Sequence, residues 1–339
     1  MPLLLRRLLL AALALTLPLS GTVAWWLHRP LQLASAPLEL EIEPGTRPRG
    51  VAEAAVKAGV RTHPALLYQW FRWSGAARDI KAGNYELEAS ITPRGLLRKL
   101  ARGEESLQAV TLVEGWTWRQ VRAALAKEPH LKGDSRQMDD AALMAALGRP
   151  GVAPEGRFFP DTYTYGKNAS DLAVLRRALQ SMDRHLQQAW QQRSPRNMLR
   201  SPDDVLILAS IVEKETGKAA DRTMISSVFH NRLRIGMPLQ TDPTVIYGMG
   251  ERFDGNLRKK DLLTDTPWNT YTRNGLPPTP IAMPGRAALL AAVQPAESKA
   301  LYFVARGDGS SQFSETLDEH NRAVDRYQRQ PARQRAAPL

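Results

Sequence analysis

The chain beyond residue 30 contains short segments in which apolar residues recur with two different periods. Leu38–Ile42 alternates apolar and polar residues, which predicts a half-buried strand. Residues 51–58 repeat their apolar positions at helical spacing and predict a helix that ends at Gly59. The same two patterns continue to residue 150, with strands predicted within residues 81–87 and 109–113 and helices over residues 64–75, 91–100, 119–127 and 139–147. This half of the chain is therefore predicted to be a small α+β region.

The second half carries longer helical patterns on both sides of a segment with little periodicity. Asp171–Gln191 predicts a long amphipathic helix, and residues 204–215 and 220–235 predict two more. Residues 238–285 are rich in Pro, Gly, Thr, Asn and Tyr, as long loops that build a site would be. The remaining elements are predicted as a helix over 287–293, a hairpin of strands over 300–305 and 311–314, and a helix over 317–328. The fold class predicted for this half is again α+β.

One carboxylate occupies a position where the helical period calls for an apolar residue. At about 100° per residue, one helix face collects Val205, Leu208, Ile211 and Val212. Glu215 projects into the middle of that face. Apolar neighbours raise the pKa of a carboxyl toward the range in which it donates a proton near neutral pH. The pattern predicts a general acid, while a last-turn Glu that bends out into water stays open as the alternative.

The N-terminal residues predict a membrane anchor. Arg6 and Arg7 precede residues 8–27, a nearly uncharged apolar stretch about long enough to cross a bilayer as a helix. Trp25 and Trp26 lie at its far end, where aromatic residues favour the membrane interface. Positive charge at the start predicts a cytoplasmic N-terminus and an exported body. A cleaved signal peptide is the alternative, but the stretch lacks a clean small-x-small cleavage site.

Charge and cysteine content indicate which partners and which covalent modifications the protein can have. A formal net charge of +12 favours anionic partners such as membrane headgroups or an acidic polymer. Nucleic acid is disfavoured, because the chain carries an export signal and its basic residues are spread rather than clustered. The absence of cysteine excludes disulfides and a lipoprotein anchor.

Three long runs of sequence carry a resemblance to a known family. They are SIVEKETG at residues 210–217, SSVFHNRLRIGMPLQTDPTVIYG at residues 226–248 and YTRNGLPPTPIAMPG at residues 271–285. Together with residues 300–305 and the pair His320-Asn321, they resemble the MltG (YceG-like) endolytic murein transglycosylases. The resemblance extends over nearly the whole chain, because the apolar N-terminus and the α+β region after it also fit.

This resemblance implies a single-pass inner-membrane enzyme with a periplasmic body. Such an enzyme cleaves nascent peptidoglycan strands between N-acetylmuramic acid and N-acetylglucosamine, leaves a 1,6-anhydro end, and works near peptidoglycan polymerases. The order strand, helix, helix, strand in residues 38–90 then resembles a LysM-type glycan-binding module. The implied division is a cytoplasmic tip and anchor (1–29), a linker (30–37), a LysM-like α+β region (38–150), an α+β catalytic domain with its glutamate on a helix (151–328) and a disordered tail (329–339).

The resemblance also assigns the catalytic role. Lytic transglycosylases depend on one glutamate, commonly followed by Ser or Thr, and Glu215-Thr216 matches that pair. Ordinary glycosidases need two carboxylates. A transglycosylase manages with one, because the glutamate protonates the leaving oxygen and then accepts the proton of the sugar's own C6 hydroxyl as that oxygen attacks C1.

Several loop residues are candidates for contacts with the sugar. Gln240, Asp242 and Tyr247 offer amide, carboxylate and aromatic groups that suit hydroxyls and pyranose faces. Asp242 with Pro243 is equally suited to shaping a turn. The other loop candidates for substrate binding are Asn269, Tyr271 and Asn274.

Two further glutamates and a C-terminal asparagine complete the predicted site. Glu155 is predicted to line the cleft or act as a second carboxylate, with helix capping or a salt bridge as the favoured alternative. Glu213 is predicted to orient the site or to pair with a basic residue such as Arg232. Asn321, with His320, is predicted to contact substrate or simply to end the packing, and packing is favoured.

Motifs for other chemistries are absent. The six histidines lie far apart and no His-Glu-x-x-His motif occurs, so no metal and no cofactor are predicted. Ser210 is followed three positions later by Glu213 rather than Lys, which excludes a Ser-x-x-Lys acylase.

Two alternative functions stay open: a muramidase that uses Glu215 as acid and water as nucleophile, and a non-enzymatic glycan-binding scaffold.

Overall fold

The protein is a mixed α+β molecule whose contacts divide it into two compact units. A computed structural model describes residue 18 and residues 20–329 of the 339-residue chain. The first unit comprises the described residues up to Gln108 together with Thr164–Asn168. The second comprises Ala109–Tyr163 and the described residues from Ala169 onward. The functional domain boundaries given above stay predictions.

From residue 32 onward, the described part of the first unit contains two small antiparallel sheets and three α-helices. Its elements in chain order are β1 (Gln32–Leu33), β2 (Leu38–Ile42), α1 (Pro48–Ala58), β3 (Val60–Arg61), α2 (Pro64–Trp73), β4 (Gly83–Leu87) and α3 (Pro93–Arg102). Strand β2 pairs with β4, with Leu38 opposite Leu87 and Ile42 opposite Gly83, and β1 pairs with β3. The predicted order strand, helix, helix, strand is present, with the unpredicted short strand β3 between the two helices. Its interpretation as a glycan-binding module stays a prediction.

The predicted alternation in β2 is what builds the core of the first unit. Leu38, Leu40 and Ile42 are buried, whereas the two glutamates between them are exposed. Helix α3 begins at Pro93, two residues after the predicted start, because the Thr92 hydroxyl accepts a hydrogen bond from the Gly95 amide at 3.0 Å. It presents its buried leucines to the same core.

The second unit holds most of the helices. Its elements begin with β5 (Leu107–Thr111), whose first two residues belong to the first unit, α4 (Trp118–Lys127), β6 (Leu131–Lys132), α5 (Asp140–Ala146), β7 (Thr162–Gly166), whose last residues also belong to the first unit, β8 (Ala169–Ser170) and α6 (Asp171–Gln191). They continue with α7 (Pro202–Glu215), α8 (Arg222–Arg234), α9 (Asp242–Met249), α10 (Lys259–Leu263), α11 (Arg286–Val293), β9 (Tyr302–Ala305), β10 (Ser311–Ser314) and α12 (Leu317–Val324). Strands β9 and β10 form the predicted antiparallel hairpin.

Helix α7 lies in the centre of the second unit. It packs against α6, α8 and α11, and every residue from Val205 to Val212 is buried. His230 on α8 ties this core together, since its Nε2–H donates to the Ala292 carbonyl at 2.8 Å and its Nδ1 accepts from the Met198 amide at 3.1 Å. Burial lowers the pKa of His230 and keeps the ring neutral.

The segment predicted as long loops contains two helices, so that part of the prediction was wrong. Helix α9 begins at Asp242, with Pro243 in its first turn, which corrects the alternative that these two residues only shape a turn. With eight residues, α9 is too short to reveal a helical period among the glycines and threonines around it. The last helix also differs, because α12 ends at Val324 and a π-helix follows over Asp325–Arg329.

The predicted anchor falls largely outside the described residues. Residues 20–28 are helical. Among the residues that the structure describes, no helix combines the length and the apolar character that a membrane span requires. The predicted tail, apart from Arg329, also lies outside the described residues.

Candidate active site

Glu215 is the last residue of α7, where the helix leaves the apolar core. The helix begins at Pro202 because the Ser201 hydroxyl accepts a hydrogen bond from the Asp204 amide at 3.1 Å. It ends at Glu215 because Thr216 is extended, with φ −149° and ψ 133°. The side chain of Glu215 is half-buried, next to the face predicted from the helical period.

A threonine hydroxyl holds the Glu215 carboxyl. Thr241 is buried, and its Oγ1–H donates a short hydrogen bond to Oε1 of Glu215. The Thr241 amide in turn donates to the Thr270 hydroxyl at 3.1 Å. Gln240, just before it, has φ +48°, a left-handed conformation that non-glycine residues rarely adopt. The turn that presents Thr241 to Glu215 is therefore fixed on both sides.

The surroundings of Glu215 raise its proton affinity. Burial raises the pKa of Glu215 from an ordinary value of 4.5 to about 7, and the negative charge of Asp242 adds to the rise. The hydrogen bond from Thr241 and the positive charge of Arg232 act in the opposite direction. Burial prevails, so a large fraction of the Glu215 carboxyls carries a proton at neutral pH.

Arg232 on α8 lies on the Glu215 side of the site, not beside Glu213. Its Nε–H donates to the Leu301 carbonyl at 2.7 Å, and its Nη1–H donates to the Leu239 carbonyl at 2.6 Å. The guanidinium also lies 5.4 Å from the centre of the Tyr302 ring. Arg232 thereby fixes the chain two residues before Thr241.

Asp242 and Tyr271 form a second polar pair near Glu215. The Tyr271 hydroxyl donates to Oδ1 of Asp242 at 2.6 Å. Burial raises the pKa of the Tyr271 phenol, and the hydrogen bond to Asp242 and the charges of Asp242 and Glu215 add to the rise. Tyr271 therefore stays protonated and can donate to Asp242 across the pH range of the site.

A cavity of about 900 Å³ is lined by Lys214 and Pro243. These two residues are the sequence neighbours of Glu215 and Asp242. Four aromatic side chains line it as well, namely Trp118, Tyr247, Phe253 and Trp268. Cavities of this size with aromatic walls and few polar groups are typical of ligand sites.

Glu155 is a buried carboxyl in the wall of that cavity, with 6% of its surface exposed. The amide of Trp118, at the start of α4, donates to both of its oxygens at 3.0 and 3.1 Å. The Tyr247 hydroxyl donates to Oε2 at 3.1 Å. Burial raises the pKa of Glu155 to about 7 against these hydrogen bonds, which lower it. The predicted capping role is present, and the carboxyl lines the cavity too.

A comparison with protein families now places the chain. It matches the YceG-like family over residues 40–326, which is most of its length. The chain belongs to the YceG-like family. The candidate site lies entirely within the matched residues.

Relatives and a solved structure agree with this membership. The "Endolytic murein transglycosylase" of Bacillus subtilis (strain 168) is 31% identical over 307 residues, which cover 86% of this chain and 84% of the relative. The protein of the same name from Streptococcus pneumoniae serotype 2 (strain D39) is 27% identical and is covered over 57% of its length. A crystal structure of a YceG-like protein from Listeria monocytogenes matches with a TM-score of 0.54 at 31% identity, covering 85% of this chain and 99% of that one.

The structure brings together four of the predicted residues around Glu215 and in the cavity. Asp242 and Tyr271 lie near Glu215, and Glu155 and Tyr247 meet in the cavity wall. Gln240 is exposed, and its backbone amide donates to the Thr270 carbonyl at 3.0 Å. Their roles in binding substrate stay predictions.

Asn269 and Asn274 occupy different positions in the same loop. The amide of Asn269 is fully buried, donates to the Leu262 and Thr264 carbonyls and accepts from the Tyr271 amide at 2.8 Å. It therefore organises the loop that carries Tyr271. Asn274 is exposed and lines a separate cavity of about 460 Å³.

Glu213 lies beside a basic residue, as one of the two alternatives predicted, but that residue is Arg222 and not Arg232. Oε2 of Glu213 accepts a hydrogen bond from the Gly285 amide at 2.9 Å, and its basic neighbour is Arg222 at 4.0 Å. Burial raises the pKa of Glu213, while the Gly285 hydrogen bond lowers it. Glu213 thus joins α7 to the start of α11.

His320 and Asn321 fit the packing alternative better. The His320 ring stacks on Tyr302 at 5.3 Å between ring centres. Asn321 is exposed on α12. Neither residue contacts Glu215 by a hydrogen bond within the described part of the chain.

Three residues of the site and cavity, Thr241, Trp118 and Trp268, were not predicted from the sequence. Thr241 lies between two predicted residues, Gln240 and Asp242, but a hydroxyl gives no periodic signal. The two tryptophans are 150 residues apart, and only the folded chain brings them to one cavity.

Within the described residues, no cluster of three or more His, Asp or Glu side chains could hold a metal ion.

Proposed function

We propose that this protein is an endolytic murein transglycosylase that cleaves the bond between N-acetylmuramic acid and N-acetylglucosamine in peptidoglycan strands without water. The observation that carries the proposal is the carboxyl of Glu215, with a pKa of about 7 and a buried hydroxyl donor on one oxygen. Membership in the YceG-like family and the name of the Bacillus subtilis relative support the substrate class. A pKa near the working pH suits a group that must both give and take a proton.

Glu215 would act first as an acid and then as a base. Its proton passes to the glycosidic oxygen as the bond from C1 of N-acetylmuramic acid to that oxygen breaks. The C6 hydroxyl oxygen of the same sugar then bonds to C1, and its proton passes to the Glu215 carboxylate. The residue ends the cycle protonated, as it began. No water is consumed, because the intramolecular hydroxyl is already positioned as the nucleophile.

The neighbours of Glu215 suit both halves of this cycle. The negative charge of Asp242 favours the protonated acid and would stabilise positive charge that develops at C1. Thr241 stabilises the carboxylate that remains after the proton has left, since its hydroxyl donates to Oε1. With Oε1 held in this way, Oε2 is the oxygen that would deliver the proton.

The first test is the exchange of Glu215→Gln, which keeps the shape of the side chain and removes its acid. We expect cleavage of purified peptidoglycan strands to fall by about 10²- to 10⁴-fold, the usual contribution of a general acid. Mass analysis of the wild-type products should find 1,6-anhydro ends.

The matched control is Glu315→Gln, which changes an exposed glutamate outside the site and should cleave like wild type. Equal cleavage by the Glu215→Gln variant would refute the assignment of Glu215. Reducing ends in the wild-type products would show that water is the nucleophile, and the protein would then be a muramidase.

The cellular setting belongs to the same proposal. An inner-membrane position with an exported body is supported by the apolar stretch over residues 8–27 after Arg6 and Arg7. It would confine cleavage to nascent strands close to the bilayer, where peptidoglycan polymerases work. The strand, helix, helix, strand order in the first unit supports a glycan-binding role for that unit.

A further inference from the structure

The aromatic cavity has no part in the proton transfers of Glu215, and its chemistry points to a ligand. We infer that it is a subsite for one neutral N-acetylhexosamine of the glycan strand, and that Glu155 is a positioning residue that holds its aromatic wall. This inference rests on the proposed function. It adds the kind of sugar that the cavity binds and the buried residue that holds the wall of the cavity in position.

The aromatic rings are fixed in orientation before any ligand arrives. Tyr247 and Trp268 meet edge to face, with 5.4 Å between ring centres and 68° between planes. The Trp268 Nε1–H donates to the Thr279 hydroxyl at 2.9 Å. Trp118, which is buried, stacks on Phe158 with 4.8 Å between ring centres. Rigid aromatic faces are suited to the apolar C–H face of a pyranose ring, and they lose little entropy on binding.

Glu155 is the group that joins two of these walls. One carboxyl accepts both the Trp118 amide, from α4, and the Tyr247 hydroxyl, from α9. Because Glu155 is almost completely buried, loss of its carboxyl would leave the amide or the phenol without a partner. Its effect on a sugar would pass through Tyr247, which makes Glu155 a positioning residue rather than a catalytic one.

The aromatic walls of the cavity favour a sugar without an acidic substituent, because an anion bound against them would lose its hydration. At the rim, Arg119 pairs with Glu251 at 2.8 Å, and the Lys214 Nζ donates to the Gly115 carbonyl at 3.3 Å. A lactyl or peptide carboxylate would also meet Glu251, whereas N-acetylglucosamine carries no charge to be repelled.

Binding is measured first in the Glu215→Gln background, where bound glycan is not cleaved. Titration with chitotetraose, a neutral N-acetylglucosamine oligomer, should change tryptophan fluorescence. Trp268→Ala should weaken this binding by about tenfold or more. The matched control is Trp190→Ala, which removes a half-buried tryptophan on α6 that does not line the cavity, and it should bind like its parent.

The positioning role is measured by cleavage kinetics with Glu215 in place. Tyr247→Phe removes only the hydroxyl that reaches Glu155, and Glu155→Gln replaces the carboxyl by an amide. Both should raise KM by about threefold to tenfold and change kcat by less than about twofold, because they alter binding and not the acid. Circular dichroism identifies a variant that does not fold, and Tyr247→Phe then carries the test if Glu155→Gln fails.

Three outcomes would overturn the inference. They are unchanged binding by Trp268→Ala, equal losses in Trp190→Ala and Trp268→Ala, and a fall in kcat at constant KM in Tyr247→Phe. Failure of the proposed function is a separate result, since the wild type would then bind chitotetraose without cleaving any strand.

Discussion

Two neighbours of opposite effect act on the Glu215 carboxyl. Burial is the main cause of the rise in the pKa of Glu215 to about 7. The hydroxyl of Thr241 lowers this pKa by stabilising the ionised form, and the negative charge of Asp242 raises it. The acid must be protonated to start a reaction cycle, so activity should fall as the pH rises through this value.

Exchange of Thr241→Val should move this alkaline limit upward. The variant keeps the shape of the side chain but removes the donor to Oε1, so the pKa of Glu215 rises. A hydrogen bond to a charged group is worth about 1.5–3 kcal/mol, and one pKa unit corresponds to about 1.4 kcal/mol. We expect the alkaline limb of the profile of kcat/KM against pH to shift upward by about one pH unit or more.

The control for this prediction is Thr241→Ser, which retains the hydroxyl and should keep the wild-type profile. A valine variant whose alkaline limb stays in place, or moves to lower pH, would show that Thr241 does not tune Glu215. Because the comparison concerns the position of the limb, it is not affected by a partly unfolded sample.

Individual residues of the site differ in how far the sequence could predict their roles. Glu215 could be recognised because the four apolar residues that share its predicted helix face lie in the same helix. The basic partner of Glu213 could not, because Arg222 and Arg232 lie at opposite ends of α8 and only the folded chain shows which end is near Glu213. Thr241 could not either, because its contact with Glu215 spans 26 positions and depends on the left-handed turn at Gln240.

Elements defined by a long period or a strong cap were predicted well. Helix α6 has the predicted bounds, and α4 begins one residue before the predicted start, at the Thr117 capping box. Helix α9 was missed because its eight residues follow no clear period. It forms because Pro243 favours a first turn and Thr244 and Val245 are buried in the second unit.

The turn after Glu155 is an element that a single methyl group should disrupt. Gly156 has φ +77°, and a Cβ there would lie 2.4 Å from Cβ of Pro280 and 3.4 Å from the Ala282 carbonyl. The ring of Pro280 is rigid and cannot move aside as a flexible side chain would. Gly156→Ala should therefore lower the free energy of unfolding by about 1–3 kcal/mol for overpacking, in addition to the cost of its left-handed conformation.

The matched control is Gly148→Ala, at a glycine with φ +82° and no atom within 4 Å of its added Cβ. It carries the conformational cost without the clash. The midpoints of urea unfolding should fall in the order wild type, Gly148→Ala, Gly156→Ala. Equal midpoints for the two variants would mean that the turn and the Pro280 loop separate at little cost.

At the scale of the whole molecule, the chain combines two units with different cores. The first collects buried leucines, valines and aromatic residues from residues 31–100, and the second is arranged around α7. The sequence predicted α+β structure in both regions. It could not predict the division itself, because residues 164–168 belong to the first unit although their neighbours in sequence belong to the second.

The apolar N-terminal stretch predicts how the full chain fractionates when cells are broken. We expect it to fractionate with membranes and to need detergent for release. Two charges in the stretch, Leu13→Arg with Leu15→Arg, should move much of it to the soluble fraction, since each Arg at the centre of a span costs about 2.5–3.5 kcal/mol. Leu317→Arg changes an exposed leucine of α12 and is the control that should stay with the membrane.

Mass analysis of the same fractions separates the two interpretations of this stretch. A retained anchor gives the intact mass of the chain in the membrane. A soluble wild-type chain that lacks its first residues would instead identify a cleaved signal peptide.

The position of Glu215 at the last residue of α7 has an evolutionary consequence. The peptide dipoles of a helix place partial negative charge at its carboxyl end, and a carboxylate there is disfavoured by about 0.3–1 kcal/mol. This contribution comes from main-chain atoms that every substitution leaves in place. Part of the rise in the pKa of Glu215 is therefore inherited with the backbone, and neighbouring side chains can diverge while that part is preserved.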